Sequence, residues 1–130
     1  VAMATPDIDA QLAFYSQLTG MKPVARKNDI REAKLDSVAG VNNLILHGAW
    51  FKIGKMGLEF WQFVNPKTPE PQGVRLFDEI GFNKITFELL HFDQEIANII
   101  ARGLKPTVVE IGKRALIRDV DGNLIELIGI

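Results

Sequence analysis

The first half of the chain shows the hydrophobic spacing of one helix and then the two-residue alternation of strands. A helix is predicted between Asp7, a suitable N-cap, and Gly20, which follows where such a helix would end. Its core-facing positions are Ile8, Leu12, Tyr15 and Leu18. Strands are predicted over 1–5, 21–26, 44–53 and 58–64, and the polar stretch 28–43 predicts a long loop.

The second half repeats this order of elements. A strand is predicted over 83–89, a helix over 92–101, and further strands over 104–111, 114–118 and 124–130. The apolar face of this helix is formed by Phe92, Ile96, Ile99 and Ile100, and Gly103 ends it. Between the halves, the proline-rich segment 65–73 predicts a linker and 74–80 a helical turn.

The two halves align as copies of one βαβββ unit. The segment Gly20-Met21-Lys22-Pro23-Val24 matches Gly103-Leu104-Lys105-Pro106-Thr107, and Leu58-Glu59-Phe60 matches Ile125-Glu126-Leu127. Such self-similarity indicates an internal duplication. We therefore predict an α+β fold in a single domain, 1–130, in which two modules of mixed, curled sheets form a cleft. Module one spans 1–65, the linker 66–80 and module two 81–130.

Strand alternation separates a face covered by the helices from a concave face. Leu58 and Phe60 are predicted to face the helix, as are Ile85 and Phe87. The concave face then carries Glu59, Trp61, Phe63, Lys84, Thr86, Glu88, Leu124, Glu126 and Ile128. A single glutamate on a strand is more often merely solvated. Two glutamates at duplicated positions, each between apolar groups, favour a shared ligand pocket.

Composition and charge exclude several classes of function. The net charge is −1 and the basic residues are scattered, which argues against nucleic acid as a partner. The absence of cysteine excludes disulfides, thiolate metal sites and cysteine nucleophiles. No apolar run approaches the roughly 18 residues that span a bilayer, and no signal peptide is expected. We therefore expect no membrane association and a cytoplasmic location.

Four stretches of the chain resemble, in order, the motifs of the vicinal-oxygen-chelate superfamily, which includes glyoxalases, bleomycin-resistance proteins and extradiol dioxygenases. The most specific is Asp119-Val120-Asp121-Gly122-Asn123-Leu124-Ile125-Glu126-Leu127, which resembles the closing "DPDGNxIEL". The others are Asp7-Ile8-Asp9 through Phe14-Tyr15 and Leu18-Thr19-Gly20, then Gly57-Leu58-Glu59-Phe60, then Gly81-Phe82-Asn83-Lys84-Ile85-Thr86-Phe87. The resemblance covers nearly the whole chain.

The resemblance implies a single divalent metal ion (Zn, Ni, Mn or Fe) held by one residue from each of the first, fourth, fifth and eighth strands. Glu59 and Glu126 match the two carboxylate positions, and Lys84 stands where a histidine is expected. The fourth position falls immediately before Val1, because Val1-Ala2-Met3 aligns with Ile85-Thr86-Phe87 at an offset of 84, which places that position opposite Lys84 in the repeat. A protonated lysine has no lone pair and cannot coordinate a cation.

Two arrangements of this centre stay open. In the first, the Lys84 ammonium replaces the metal and bridges Glu59 and Glu126. In the second, a metal is held by the two carboxylates, the residue before Val1 and water, with Lys84 turned aside.

Two functions stay open as well. One is a glyoxalase-like lyase or isomerase, or a dioxygenase-type enzyme, in which the metal polarises substrate oxygens and a catalytic Glu126 or Glu59 moves a proton next to a carbonyl. The other is a metal-free protein that binds and sequesters a small organic molecule. Lys84, Trp61, Phe63 and Thr86 are the predicted pocket residues in both. The resemblance also implies a homodimer.

Several other side chains are weaker candidates. Trp50 is expected to contribute either to the floor of the pocket or to packing. Arg31 and Glu32 lie in the long loop, which has the length of a ligand-covering lid. His47 and His91 are expected to be structural or surface residues.

Overall fold

The structure, a computed structural model, describes residues 1–74, 81 and 83–130. The helical turn predicted over 74–80 and the last part of the predicted linker therefore lie outside the described residues, apart from Val74, and so does Phe82 of the resemblance motif. The chain divides into two compact units, Val1–Ser16 with Met21–Glu70, and Gln17–Gly20 with Pro71–Ile130.

The first unit contains one four-stranded sheet. Its elements in chain order are β1 (Ala2–Ala4), α1 (Ile8–Thr19, whose last turn falls in the second unit), β2 (Ala25–Ile30), α2 (Ala33–Ala39), β3 (Ile45–Ile53) and β4 (Met56–Asn65). The strand order is β1-β4-β3-β2, with β1 parallel to β4 and the other pairs antiparallel.

The second unit repeats this arrangement. Its elements are β5 (Lys84–Leu89), α3 (Phe92–Ala101), β6 (Thr107–Glu110), β7 (Arg114–Arg118) and β8 (Leu124–Gly129). The strand order is β5-β8-β7-β6, and only its first pair is parallel. Because the two sheets have the same order and the same pairing directions, the predicted α+β fold of two βαβββ modules is confirmed. The module limits within 1–130 stay a prediction.

Helix α1 begins and ends as its sequence predicts. The Asp7 carboxylate accepts the backbone N–H of Ala10 at 3.0 Å, which is the contact of an N-cap. Gly20 has a φ of +70°, the left-handed conformation that glycine adopts without strain. The apolar side of the helix is buried, and the Tyr15 ring lies 4.8 Å from the ring of Phe60 on β4. The predicted core positions Ile8, Leu12, Tyr15 and Leu18 are all buried.

Helix α3 has the predicted limits but a narrower apolar face. Phe92, Ile96 and Ile99 are buried, whereas Ile100 is 54% exposed, so its assignment to this face is wrong. At 3.6 residues per turn, Ile100 lies roughly 80° around the axis from Phe92, whereas Ile99 lies within about 20° of it. The buried stripe passes through the first three residues only.

The prediction of a long loop over 28–43 is wrong. Strand β2 continues to Ile30, and α2 occupies Ala33–Ala39 before Gly40 ends it with a φ of +68°. The start of β2 is also later than predicted, since the strand begins at Ala25, after Pro23. Strand β6 is likewise shorter than predicted, and it begins after Pro106. Among the described residues, no helix is long and apolar enough to cross a membrane.

Candidate functional site

The pairing of β8 with its two neighbours places a set of charged residues around Glu126. Thr86 on β5 is the register partner of Glu126, and Lys84 lies two positions before Thr86, on the same face of the sheet. On the other side, β7 places Leu116 opposite Glu126 and Arg114 opposite Ile128. Lys84, Thr86, Arg114 and Glu126 therefore share the face that alternation predicts to be opposite α3.

The Glu126 carboxylate is held by three neighbouring side chains. The Lys84 ammonium donates to Oε2 at 2.5 Å, and the Thr86 hydroxyl donates to the same oxygen at 2.9 Å. Arg114 Nε lies 3.4 Å from the other carboxylate oxygen, Oε1. Glu126 itself is buried, whereas the Lys84 side chain is 41% exposed and reaches the carboxylate from the solvent side.

These contacts set the charge state of Glu126. The hydrogen bond from Lys84, and then that from Thr86, lowers the pKa of Glu126 below its usual value. Burial opposes this effect, and the positive charges of Lys84 and Arg114 add to it. The carboxylate therefore remains ionised at neutral pH and is a weak base.

The residues of this cluster do not fit a divalent metal ion. Both oxygens of Glu126 face cations of the protein, and the ammonium of Lys84 offers no lone pair to a metal. Within the described ranges, no group of three or more histidine, aspartate or glutamate side chains is placed to hold a metal. Glu59, the other predicted ligand, lies on β4 of the first unit and enters no ion pair among the described residues.

The first unit has its own cavity on the corresponding face of its sheet. The register of β4 with β1 and β3 brings Glu59 beside Ala2 and Trp50, and Trp61 beside Ala4 and Gly48. Residues of α2 and of this sheet face line an open cavity of about 340 Å³, and no residue of α2 is buried. Its lining contains no charged side chain and consists of Ala2, Met3, Ala4, Leu35, Val38, Ala39, Leu44, Leu46, Trp61 and Phe63.

Two of the predicted pocket residues, Trp61 and Phe63, thus line one cavity. The other two, Lys84 and Thr86, belong to the Glu126 cluster of the second unit. The contribution of α2 to the cavity was missed, although Leu35, Val38 and Ala39 have the spacing of one helix face. Asp36 and Ser37, which lie between Leu35 and Val38 in the sequence, obscured this signal.

Gly48 explains the arrangement of the two tryptophans. A Cβ atom at Gly48 would lie 2.7 Å from the ring of Trp50, so the indole lies across a position that has no side chain. The Trp50 and Trp61 rings are 5.8 Å apart at an angle of 78°, which is an edge-to-face contact. The glycine in the middle of a predicted strand was the available sequence signal for this close approach.

The connection between α2 and β3 is fixed by one carboxylate. Asp36 on α2 accepts the backbone N–H groups of Asn43 and Leu44 at 3.0 and 2.9 Å. Arg31 and Glu32, the candidates for a lid, line a separate cavity of about 220 Å³ together with Asp36. Arg31 and Glu32 therefore do not line the apolar cavity, whereas residues of α2 do.

The two histidines belong to neither group of residues. His47 Nδ1 accepts the backbone N–H of Asp29 at 3.0 Å, a contact that holds β2 against β3. His91 is exposed and precedes α3 without capping it through its side chain.

Comparisons with known proteins agree with the fold described above. Residues 1–127 match the family model of the Glyoxalase/Bleomycin resistance protein/Dioxygenase superfamily, and the chain belongs to this superfamily. A comparison with curated protein sequences gives no match.

Several solved structures share the fold at low sequence identity. A glyoxalase family protein from Bacillus cereus superimposes with a TM-score of 0.79 at 17% identity, covering 99% of this chain and 90% of that one. A fosfomycin resistance protein from Listeria monocytogenes, solved as a mutant with Mn(II) and a dihydroxypropylphosphonic acid, gives 0.60 at 18% identity, with coverage of 98% and 87%. The trypanothione-dependent glyoxalase I of Leishmania major gives 0.63 at 17% identity, with coverage of 99% and 83%.

Proposed function

We propose that this protein binds a small organic molecule without a metal ion, and that Lys84 takes the place of the metal beside Glu126. The observation that carries the proposal is the Lys84–Glu126 pair, in which an ammonium stands where the superfamily pattern has a histidine. A divalent ion at Glu126 would have to displace this ammonium and then lie next to it. Lys84 and Arg114 already give this carboxylate two positive neighbours, which would repel a divalent ion, and loss of the lysine proton is disfavoured beside a carboxylate.

The cavity of the first unit supports the binding role. Its volume of about 340 Å³ lies at the lower end of the roughly 300–1,000 Å³ that is usual for small-molecule sites. An apolar ligand that buries about 150 Å² of its surface there gains about 4 kcal/mol from the hydrophobic effect. That contribution alone corresponds to a Kd of roughly 1 mM. Aromatic contacts with Trp61 and Phe63 then favour a ligand with an aromatic or aliphatic body.

Elemental analysis of the purified protein tests the metal-free proposal. We expect no stoichiometric Zn, Ni, Mn or Fe, and no change in thermal stability when these ions or a chelator are added. A stoichiometric metal in the wild-type protein would contradict the proposal.

The Lys84→His variant gives a companion measurement. It removes the ammonium and places an imidazole lone pair near Glu126, so we expect it to gain affinity for Zn²⁺ or Ni²⁺. The matched control is Lys113→His, which alters a surface lysine paired with Glu110 at 3.4 Å. A variant at Lys84 that binds these ions no better than the control would show that the remaining groups cannot form a metal site.

A second candidate is a lyase or isomerase that moves a proton next to a carbonyl. Glu59 is better suited to this role than Glu126, because its carboxylate makes no hydrogen bond or ion pair among the described residues. Exchange of carbon-bound hydrogen for deuterium, followed by NMR on a set of α-hydroxycarbonyl compounds, tests this function. Exchange that Glu59→Gln abolishes would support the enzyme, and the absence of exchange leaves binding as the function.

A further inference from the structure

We propose that the cavity of the first unit selects organic cations. An ammonium head group would lie beside Glu59 and the paired rings of Trp50 and Trp61, and its apolar body would lie in the cavity next to α2. This inference rests on the proposed function, that the cavity binds a small molecule, and it adds the chemical class of the ligand.

The sheet register places Glu59 next to residues that line the cavity. Ala2 on β1 is the register partner of Glu59, and Ala2 lines the cavity. Trp61 lies two positions along β4 from Glu59, on the same face, and it also lines the cavity. Residues at such positions lie about 7 Å apart along a strand, so the carboxylate is within a side-chain length of the cavity.

The charge of Glu59 has no partner in the part of the chain that the structure describes. Its side chain is half-buried and enters no ion pair or hydrogen bond there. The amino group of Val1 donates to the carbonyl of Gly57 instead. Lys27 on β2 is the register partner of Gly48 and lies on the same face of the sheet as Glu59. The Trp50 ring lies over Gly48 and so covers the sheet between Lys27 and β4.

Two indole rings complete the environment of a bound cation. Trp50 is the register partner of Glu59 on β3, and its ring meets the Trp61 ring edge to face at 5.8 Å. Tryptophan is the aromatic side chain that attracts cations most strongly through its ring face. A carboxylate beside two indoles at the mouth of an apolar cavity therefore matches an ammonium that carries an apolar chain.

The same electrostatics disfavour the other ligand classes. An anionic head group would be repelled by Glu59. A neutral ligand would remove water from the carboxylate without giving it a counter-charge. Ligand charge, more than ligand shape, should therefore determine affinity.

Three probes of one shape measure this selectivity: 4-phenylbutylammonium, 4-phenylbutanol and 4-phenylbutanoate. Trp50 and Trp61 are the only two tryptophans of the chain, so intrinsic fluorescence reports on this site directly. A charge-assisted contact corresponds to an affinity gain of about ten-fold or more, so we expect the ammonium to bind at least about ten-fold more tightly than the alcohol. The carboxylate should bind most weakly.

The Glu59→Gln variant removes the charge and keeps the side-chain shape. We expect its affinity for the ammonium to fall about ten-fold and its preference for the ammonium over the alcohol to disappear. The matched control is Glu88→Gln, which neutralises an exposed strand glutamate of the second unit and should change none of the three affinities.

The possible results separate this inference from the proposed function. Equal binding of the ammonium and the alcohol by the wild-type protein would overturn the cation selectivity and leave an apolar binding cavity. A preference for the ammonium that persists in Glu59→Gln would also overturn it. If none of the three probes binds, the binding role of the cavity fails, and the inference fails with it.

Discussion

Replacing Lys84 with methionine removes the ammonium from Glu126 and keeps most of the side-chain stem. The Glu126 carboxylate then retains Thr86 and the more distant Arg114 as partners. A hydrogen bond to a charged group contributes about 1.5–3 kcal/mol to stability. Since the Lys84 side chain is 41% exposed, solvent screening reduces this value towards the ~0–1 kcal/mol of surface pairs. We expect the free energy of unfolding to fall by about 1–2 kcal/mol.

The loss should depend on pH in a defined direction. The pKa of Glu126 is lowered in the folded protein, mainly by the hydrogen bond from Lys84. A carboxyl group with a lowered folded pKa stabilises the folded state above its unfolded pKa of about 4.3, and this stabilisation disappears as the pH falls through the folded value. The difference between wild type and Lys84→Met is therefore complete at neutral pH and decreases in acid.

Urea unfolding followed by tryptophan fluorescence at pH 7 and at acidic pH measures this difference. The matched control is Lys113→Met, because the Lys113–Glu110 pair is exposed, with side chains 73% and 47% accessible. This control should change stability by less than about 0.5 kcal/mol. The reasoning is refuted if the two variants lose the same stability at pH 7, or if the loss in Lys84→Met is unchanged at acidic pH.

Three further substitutions test the first unit. Gly48→Ala should cost about 1–3 kcal/mol and alter the near-ultraviolet circular dichroism, because its Cβ would lie 2.7 Å from the Trp50 ring; an unchanged spectrum would argue against that packing. Asp36→Ala removes the acceptor of two loop N–H groups and should increase amide exchange in α2 and weaken binding of 4-phenylbutanol; exchange as slow as in wild type would contradict this. Phe60→Ala empties a fully buried site and should cost about 3–5 kcal/mol in chemical denaturation, and a loss below ~1 kcal/mol would contradict its place in the core.

The duplicated architecture could be predicted because its signals are local. Helix α3 has the predicted limits, and the core residues of α1 are the predicted ones, since an amphipathic period records directly which side of an element is buried. The alternation of β5 and β8 likewise placed Lys84, Thr86 and Glu126 on one face. Helix α2 was not predicted, because its short apolar stripe becomes evident only where it lies along a sheet face.

The sequence by itself determined the fold class, which face of each strand is buried, and which charged residues lie on the opposite face. It could do so because hydrophobic periodicity and turn residues act over a few neighbouring positions. It left open whether Lys84 turns towards Glu126 or away from it. Only the tertiary structure decided this, because the contact depends on the pairing of β5 with β8, strands about forty residues apart in the chain. The same holds for the cavity, whose walls come from β1, α2, β3 and β4. The volume of the cavity is set by how far apart these separate elements pack, and no local sequence pattern encodes that separation.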